Sequence, residues 1–196
     1  MQAAPRVLRN AVMSLRGRAD YKRWASSNGL EAWWEERTQQ LAALVPVGSR
    51  IIEFGAGRRQ LEQLLPADCT YTPSDLVVRG PGTLVLDLNT RPLPALPQIP
   101  EVAVFGGVLE YISDVRGLVQ WLADSGVTLC VASFDPAPKE LGHIARYREL
   151  NRRLYYGYMN HLTEDQLVQA FEAAKFRCVH RQTWTKQVIF QFHRLP

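Results

Sequence analysis

RIIEFGAG, at residues 50–57, places a short apolar run directly before two closely spaced glycines. The run indicates a buried strand, and the glycines predict a tight turn at which the backbone can approach a ligand closely. Leu61, Leu64 and Leu65 follow with the spacing of one helical face, and Pro66 ends the pattern. The stretch therefore predicts a strand, a turn and a helix, an arrangement that several nucleotide cofactors use.

Two common phosphate-binding loops do not match this turn. A P-loop ends in Gly-Lys-Ser/Thr, but Gly57 is followed by Arg58, Arg59 and Gln60. The dinucleotide fingerprint requires Gly or Ala at its sixth position for close helix packing, and Gln60 stands there. The sequence therefore disfavours both a P-loop and an NAD site.

Four further apolar runs predict strands that belong to the same sheet. Their bounds are 69–74, 83–88, 102–105 and 127–134. Pro73 lacks an N–H for the strand ladder, so we place it at the end of its strand. Only seven residues separate Asp75 from Thr83, and four prolines between 92 and 100 exclude an ordinary helix after the third strand. We expect the second crossover helix to be absent or reduced and a stiff loop to replace the third.

Capping signals locate the predicted helices. Asn28 and Glu31 form a capping-box pattern that starts a helix over 28–45, with Trp33 and Trp34 on its apolar face. Ser113 and Asp114 start a second helix, and Thr163 with Gln166 starts a third. Residues 139–158 are charged and rich in tyrosine, which indicates an insertion with a weak helical seam. The runs 176–184 and 187–193 predict a C-terminal antiparallel hairpin.

Composition places these elements in one soluble domain over 1–196. Hydrophobic residues make up 46% and charged residues 21% of the 196, as in ordinary globular proteins. The three cysteines are widely spaced, which argues against a disulfide framework and a zinc site. No apolar run reaches the roughly 18 residues of a membrane span, and no signal peptide is present, so we predict a cytoplasmic location. The basic N-terminal arm, 1–27, favours either weak contact with an anionic membrane surface or a protein, or a solvated terminus.

The stretch from Glu53 to Arg59 resembles the first motif of class I S-adenosylmethionine-dependent methyltransferases, E/D-x-G-x-G-x-G, with Arg59 in place of the last glycine. Phe105 to Ile112 is similar to the motif after the fourth strand of that family, and the closing hairpin is typical of its topology. The resemblance covers most of residues 50–193. It implies a doubly wound, Rossmann-like α/β fold with seven strands, mostly parallel. Within the family the chain looks like the compact MetW-like or polysaccharide-cluster enzymes.

The same resemblance implies a site for S-adenosylmethionine at the strand ends. Asp75 would hold the ribose hydroxyls, to which a carboxylate makes charge-assisted hydrogen bonds, and Asp87 and Leu88 would flank the adenine. Acids near these strand ends also suit the cationic ammonium and sulfonium of the cofactor. The implied cofactor-binding residues are Glu53, Phe54, Gly55, Ala56, Gly57, Asp75, Leu76, Asp87, Leu88, Phe105, Gly106 and Gly107.

Catalytic residues are less constrained, because in-line transfer from a sulfonium requires orientation more than a base. If the acceptor is a hydroxyl, His161 is the first candidate for a general base and His143 the second, although the position of His161 favours a local role in orienting the turn at 160–163 over catalysis. Tyrosines and arginines of the insertion could form an acceptor wall or pack on an amphipathic helix. Tyr21 and Trp24 could line the edge of the cofactor site.

The sequence therefore predicts a methyltransferase that acts on oxygen of a small-molecule or glycan acceptor. One alternative is a non-catalytic, cofactor-binding partner subunit, since the motif lacks its last glycine and the helices are shortened. A second is an RNA methyltransferase, which the basic arm favours. However, the Asn/Asp-Pro-Pro-Tyr/Phe signature expected after strand four is absent, because Phe105, Gly106 and Gly107 stand there. We therefore do not expect a nucleic-acid partner.

Overall fold

A computed structural model describes residues 3–17, 20–26 and 34–196, and its centre is a seven-stranded sheet of order β3-β2-β1-β4-β5-β7-β6. Strands β1 to β5 pair in parallel, whereas β7 pairs antiparallel with both β5 and β6. The strands are β1 (Arg50–Phe54), β2 (Thr70–Asp75), β3 (Leu84–Val85), β4 (Val102–Gly106), β5 (Leu129–Phe134), β6 (Phe176–Trp184) and β7 (Gln187–Arg194). The predicted parallel sheet with a C-terminal antiparallel hairpin is confirmed.

Helices cover both faces of the sheet. They are α1 (Ala3–Leu15), α2 (Tyr21–Ala25), α3 (Glu35–Ala42), α4 (Val115–Asp124), α5 (His143–Tyr156) and α6 (Glu164–Ala173). Neighbouring residues of each parallel strand point to opposite faces, as Ile51 and Ile52 do in β1. One face packs against α4 and α6, and the other packs against α3 and Leu61. None of these helices is both long and apolar enough to cross a membrane.

The two cap signals in the second half of the chain are confirmed. Asp114 Oδ1 accepts a hydrogen bond from Gly117 N at 2.9 Å and starts α4. At α6 the Thr163 hydroxyl accepts from Gln166 N at 3.3 Å, and the Gln166 side chain accepts from Thr163 N at 2.9 Å. Each bond satisfies an N–H that a helix start leaves without an intrahelical partner.

The helix predicted after the glycine turn is wrong. Only a single 3-10 turn, Leu61–Gln63, forms there. Arg59 adopts the left-handed conformation with φ 57°, and Pro66 follows closely, so little chain is left in which helical hydrogen bonds could propagate. The glycine turn is therefore not followed by a long helix whose dipole could act on a ligand.

The third strand is shorter than predicted, because only Leu84 and Val85 pair with β2. Pro73 lies inside β2, not at its end, at a position that β3 does not reach because its pairing begins at Ser74. β2 is locally an edge strand at Pro73, where the missing N–H is tolerated. Two predictions about the crossovers are confirmed. No second crossover helix forms in the described residues between β2 and β3, and a proline-rich loop stands in place of the third helix.

The N-terminal arm forms two helices instead of a loose terminus. Asn10 of α1 donates to the carbonyls of Leu154 and Tyr155 in α5, at 2.8 and 3.2 Å. Most of the 139–158 insertion forms the helix α5, and α1 packs against this helix. The helix predicted over 28–45 is described only as Glu35–Ala42, and its capping box at Asn28 and Glu31 lies outside the described residues.

Candidate active site

A cavity of about 730 Å³ opens at the carboxyl ends of the parallel strands, within the size range of small-molecule sites. We group its lining by the elements that carry it. The turn half, from the ends of β1 to β3, comprises Phe54, Gly55, Gly57, Asp75, Leu76, Asp87 and Leu88. The aromatic half, from α2, α5 and the segments after β4 and β5, comprises Arg23, Trp24, Tyr111, Asp135, Arg152, Tyr156 and Tyr158.

Backbone conformation shapes the glycine turn. Gly55 has φ 71°, and a Cβ at this position would lie 2.5 Å from Cγ2 of Val108. Ala56 N donates to Ser74 O at 3.0 Å, and Gly57 N donates to Asp75 Oδ2 at 2.9 Å. The turn is thus fixed against the end of β2, and only glycine fits at its first bend.

Asp75 is held by a neighbouring arginine. Arg79 Nε lies 3.1 Å from Asp75 Oδ2, and its second terminal nitrogen lies 3.3 Å from Oδ1. The same guanidinium donates to the carbonyl of Trp24, which connects α2 to the turn half. The i,i+4 spacing of Asp75 and Arg79 was visible in the sequence, but their pairing in a loop was not predicted.

Arg37 is a second cation of the site, and it comes from α3. Its side chain is 6% exposed, and it lies against Gly107, where an added Cβ would be 2.6 Å from its Nη1. It donates to Gln187 Oε1 at 3.3 Å, and no carboxylate of the described residues lies within 4.0 Å of it. Burial lowers the pKa of Arg37, an effect that the nearby charges of Glu110 and Glu53 partly offset.

Glu53 does not line the main cavity. Its carboxyl accepts a hydrogen bond from the Tyr71 hydroxyl, and burial raises the pKa of Glu53 to about 8. At neutral pH it is therefore mostly protonated. Among the three acids that the sequence placed at the strand ends, only Asp75 and Asp87 line the cavity.

Glu110 joins three elements at the cavity wall. It is 1% exposed, and its Oε1 accepts from Asp135 N at 2.8 Å, after β5, and from Gln187 Nε2 at 3.2 Å, in the hairpin. Burial raises the pKa of Glu110 to about 7. Its Oε2 has no hydrogen-bond partner among the described residues. Sequence reasoning placed Glu110 in a motif but gave it no role.

Four aromatic rings, each in contact with the next, line the aromatic half in the order Trp24, Tyr111, Tyr158 and Tyr156. Trp24 meets Tyr111 edge to face at 4.8 Å between centroids, and Tyr111 meets Tyr158 at 5.3 Å. The Tyr158 hydroxyl donates to Asp135 Oδ2 at 3.0 Å. Arg152 contacts both oxygens of Asp135, at 2.8 and 3.1 Å, and also pairs with Glu149. These contacts hold α5 over the end of β5.

The structure brings most, but not all, of the predicted site residues together. Phe54, Gly55, Gly57, Asp75, Leu76, Asp87, Leu88, Gly106 and Gly107 line the main cavity. Ala56 and Glu53 line only a small adjoining pocket, and Phe105 is buried in the core, stacked on Phe54. Trp24 lines the cavity as predicted, whereas Tyr21 is exposed and does not.

Neither candidate histidine lines the cavity. His161 is exposed, and its Nδ1 accepts a hydrogen bond from Arg153 Nε at 3.2 Å. His143 is exposed at the start of α5. Their positions give no support to a role as general base, and the local role considered for His161 agrees with its bond to Arg153. The sequence could not give the path of α5, which decides what these side chains face.

No protein-family model and no curated protein matches the chain. Solved structures, in contrast, match the chain in fold. A protein described as a methyltransferase, in complex with the Haloferax volcanii Trm112 methyltransferase activator, superposes with a TM-score of 0.71 at 11% identity, over 91% of this chain and 99% of that one. The chain has the Rossmann-like methyltransferase fold.

Two further structures with the methyltransferase fold are larger than this chain. The mitomycin 7-O-methyltransferase MmcR aligns with a TM-score of 0.65 and 13% identity, over all of this chain and 69% of its own. Human N-acetylserotonin methyltransferase, solved in complex with S-adenosylmethionine, aligns with a TM-score of 0.63 and 12% identity, over 97% of this chain and 67% of its own. At such identities the likeness concerns the fold.

Proposed function

We propose that this protein is an S-adenosylmethionine-dependent methyltransferase that methylates oxygen of a small-molecule acceptor. The observation that carries the proposal is the convergence of the glycine turn, Asp75 and buried Arg37 on one cavity at the strand ends of a methyltransferase fold. In open α/β sheets, ligands bind at this edge. Neighbours of the same fold act on small molecules or were solved with this cofactor, which supports the assignment.

The residues present fit the cofactor. Arg37 is a buried cation without a carboxylate partner among the described residues, so it would pair with the cofactor's carboxylate. Asp75 accepts hydrogen bonds from Gly57 N and Arg79 Nη2 and makes a further ionic contact with Arg79 Nε, which leaves acceptor capacity for a ribose hydroxyl. Asp87, Leu76 and Leu88 would surround the adenine.

When bound, S-adenosylmethionine would supply a methyl group on a sulfonium, from which a neutral thioether leaves readily. The chain's own task is then to orient the acceptor and to accept its hydroxyl proton. Glu110 lies on the cavity wall with a pKa near 7 and an unpartnered Oε2, which suits a proton acceptor at neutral pH. We assign this role to Glu110 in place of His161 and His143.

The decisive test is calorimetric titration with S-adenosylmethionine and S-adenosylhomocysteine. We expect binding by the intact protein and affinity about tenfold lower in Asp75→Ala, because a charge-assisted hydrogen bond is lost. Asp124→Ala, an exposed acid on α4, is the matched control. Absence of binding by the intact protein refutes the proposal, and binding unaffected by Asp75→Ala refutes only the ribose assignment.

A non-catalytic, cofactor-binding subunit is the second candidate. Arg59 replaces the last glycine of the motif, only a 3-10 turn follows it, and the Haloferax volcanii neighbour was solved together with an activator protein. Cofactor binding without turnover on any acceptor would favour this role. Binding of RNA that weakens steeply with salt would instead favour the RNA methyltransferase.

Several finer predictions stay as predictions of the sequence. These are the MetW-like subfamily, a glycan acceptor in a polysaccharide pathway, a cytoplasmic location and a weak contact of the N-terminal arm with an anionic membrane surface or a protein. None of them is needed for the proposed chemistry, which depends only on the cavity.

A further inference from the structure

Four arginines line the cavity, and they differ in their partners. Arg79 pairs with Asp75, and Arg152 pairs with Asp135 and Glu149. Arg37 and Arg23 have no carboxylate within 4.0 Å among the residues that the structure describes. A cation that lines a pocket without a compensating acid favours an anionic ligand. The cavity therefore has two cations suited to anionic groups, Arg23 from α2 and Arg37 from α3.

The proposed cofactor accounts for one of these cations. Arg37 lies against Gly107 beside the glycine turn, where the cofactor carboxylate would pair with it. Arg23 comes from α2, and its guanidinium lies 4.4 Å from the centre of the Trp24 ring. One of its five N–H donors is used, by Nη1 donating to Tyr156 O at 2.6 Å. Its remaining donors are available to a ligand.

The surroundings of Arg23 are flat and aromatic. Trp24, Tyr111, Tyr156 and Tyr158 all line the cavity, and successive rings are in contact at 4.8, 5.3 and 6.0 Å between centroids. Burial raises the pKa of Tyr111 and of Tyr158, so their hydroxyls stay neutral and add no competing negative charge. Such walls favour a planar ring by stacking or edge contacts.

We propose that Arg23 and these four rings form an acceptor subsite for a planar aromatic compound. This compound carries a carboxylate or a similar anion in addition to the hydroxyl that is methylated. The proposal rests on the methyltransferase function and names its acceptor class. Arg23 binds the anion, the rings hold the plane, and Glu110 lies on the wall of the same cavity. A neutral glycan lacks both the plane and the charge.

The test is calorimetric titration with 4-hydroxybenzoate, 4-hydroxybenzamide and cyclohexanecarboxylate, each with and without saturating S-adenosylhomocysteine. We expect 4-hydroxybenzoate to bind about tenfold or more tightly than either other probe, because only it has both a planar aromatic ring and a negative charge. Arg23→Gln should abolish the preference for the acid over the amide. Arg16→Gln, at an exposed position directly after α1, should keep the preference.

Several outcomes would overturn the proposal. Equal binding of acid and amide excludes an anion subsite, an acid preference retained in Arg23→Gln excludes Arg23, and binding of neutral maltose in preference to all three probes favours a glycan. Arg23→Lys keeps the charge without the planar fork and should retain part of the preference, with thermal melts showing that both variants fold. The titrations without S-adenosylhomocysteine separate this result from failure of the cofactor assignment.

Discussion

The two halves of the cavity are built in different ways. The turn half consists of backbone and side chains at or just after the ends of β1, β2 and β3, so each of its residues lies within a few positions of the strand that places it. The aromatic half joins α2, α5 and the segments after β4 and β5, which are separated by up to about 130 positions, as in the bond from Arg23 to Tyr156. Local conformation therefore determines the first half, and tertiary packing determines the second.

The difference also separates affinity from selectivity. In the turn half, ligand contacts would come from Asp75 and from backbone that is fixed against the end of β2, which suit one invariant cofactor. In the aromatic half, the contacts come from side chains of helices that rest on one another, such as α1 on α5. We expect changes in the turn half to act on cofactor binding and changes in the aromatic half to act on the acceptor.

The largest effect is expected for Gly55→Ala. The new methyl group would lie 2.5 Å from Val108 Cγ2 at a positive φ, so the turn must shift and measurable binding of S-adenosylhomocysteine should be lost. Gly48→Ala is a matched control, because its φ of 73° imposes the same strain but nothing lies within 4 Å of the added methyl. Equal loss in both variants, measured by calorimetry, would attribute the effect to strain instead of the cavity.

Arg37→Gln should weaken S-adenosylhomocysteine binding by about tenfold to a hundredfold, because one charged hydrogen-bonded pair is lost. Arg37→Lys should recover part of the affinity. Arg23→Gln, in the aromatic half, should change the affinity for S-adenosylhomocysteine much less than the change at Arg37, which lies beside the turn half. If calorimetry gives the same loss for both variants, the division of the cavity into two halves is wrong.

Glu53→Gln tests the buried acid beneath the turn half. The pKa of Glu53 is about 8 in the folded protein and near 4.5 when unfolded, so between these values the folded state binds a proton that the unfolded state has lost. Stability of the wild type therefore falls as pH rises through this window. Relative to wild type, the variant should gain about 1.4 kcal/mol in free energy of unfolding per pH unit there.

Denaturant unfolding at pH 5, 6, 7 and 8 measures this difference. Glu110 also has a raised pKa, but it is present in both proteins and cancels in the comparison. A difference that does not change with pH would mean that Glu53 is ionised in the folded protein, and the turn half would then carry a third negative charge.

Tyr158→Phe should have the smallest effect. It removes the hydrogen bond to Asp135 and keeps the ring, so the free energy of unfolding should fall by about 1 kcal/mol. Affinity for S-adenosylhomocysteine should stay unchanged. Tyr147→Phe, on the exposed face of α5, is the control and should change neither quantity. Weaker cofactor binding by Tyr158→Phe would show that the two halves are coupled.

Most of the sheet could be predicted because strands are encoded by short apolar runs and helix starts by local caps. The Thr163 capping box and the closing hairpin are examples, since each depends on residues only a few positions apart. The helix after the glycine turn was predicted wrongly from the spacing of Leu61, Leu64 and Leu65. The spacing of these leucines carries no information on the left-handed backbone of Arg59, after which only a 3-10 turn forms.

The residues of the candidate site also divide into those that local sequence could predict and those that it could not. Gly55, Gly57, Asp75 and Asp87 were predicted to converge, because residues after parallel strands meet at one edge of the sheet. Arg23, Arg37 and Glu110 were not predicted as site residues, because their place depends on how α2, α3 and the hairpin pack. His161 was predicted near the site because it follows the fifth strand and the insertion and precedes a helix cap, but the structure leaves it exposed beside α5.

The sequence by itself determined the parallel sheet, the glycine turn and the acids at its edge, because periodicity and backbone preference act within a few residues. Only the tertiary structure decided that Arg79 pairs with Asp75, that Glu53 is buried and protonated, and that Arg23 faces a wall of four rings. Burial and charge pairing depend on distances between remote segments, and a linear pattern does not contain those distances.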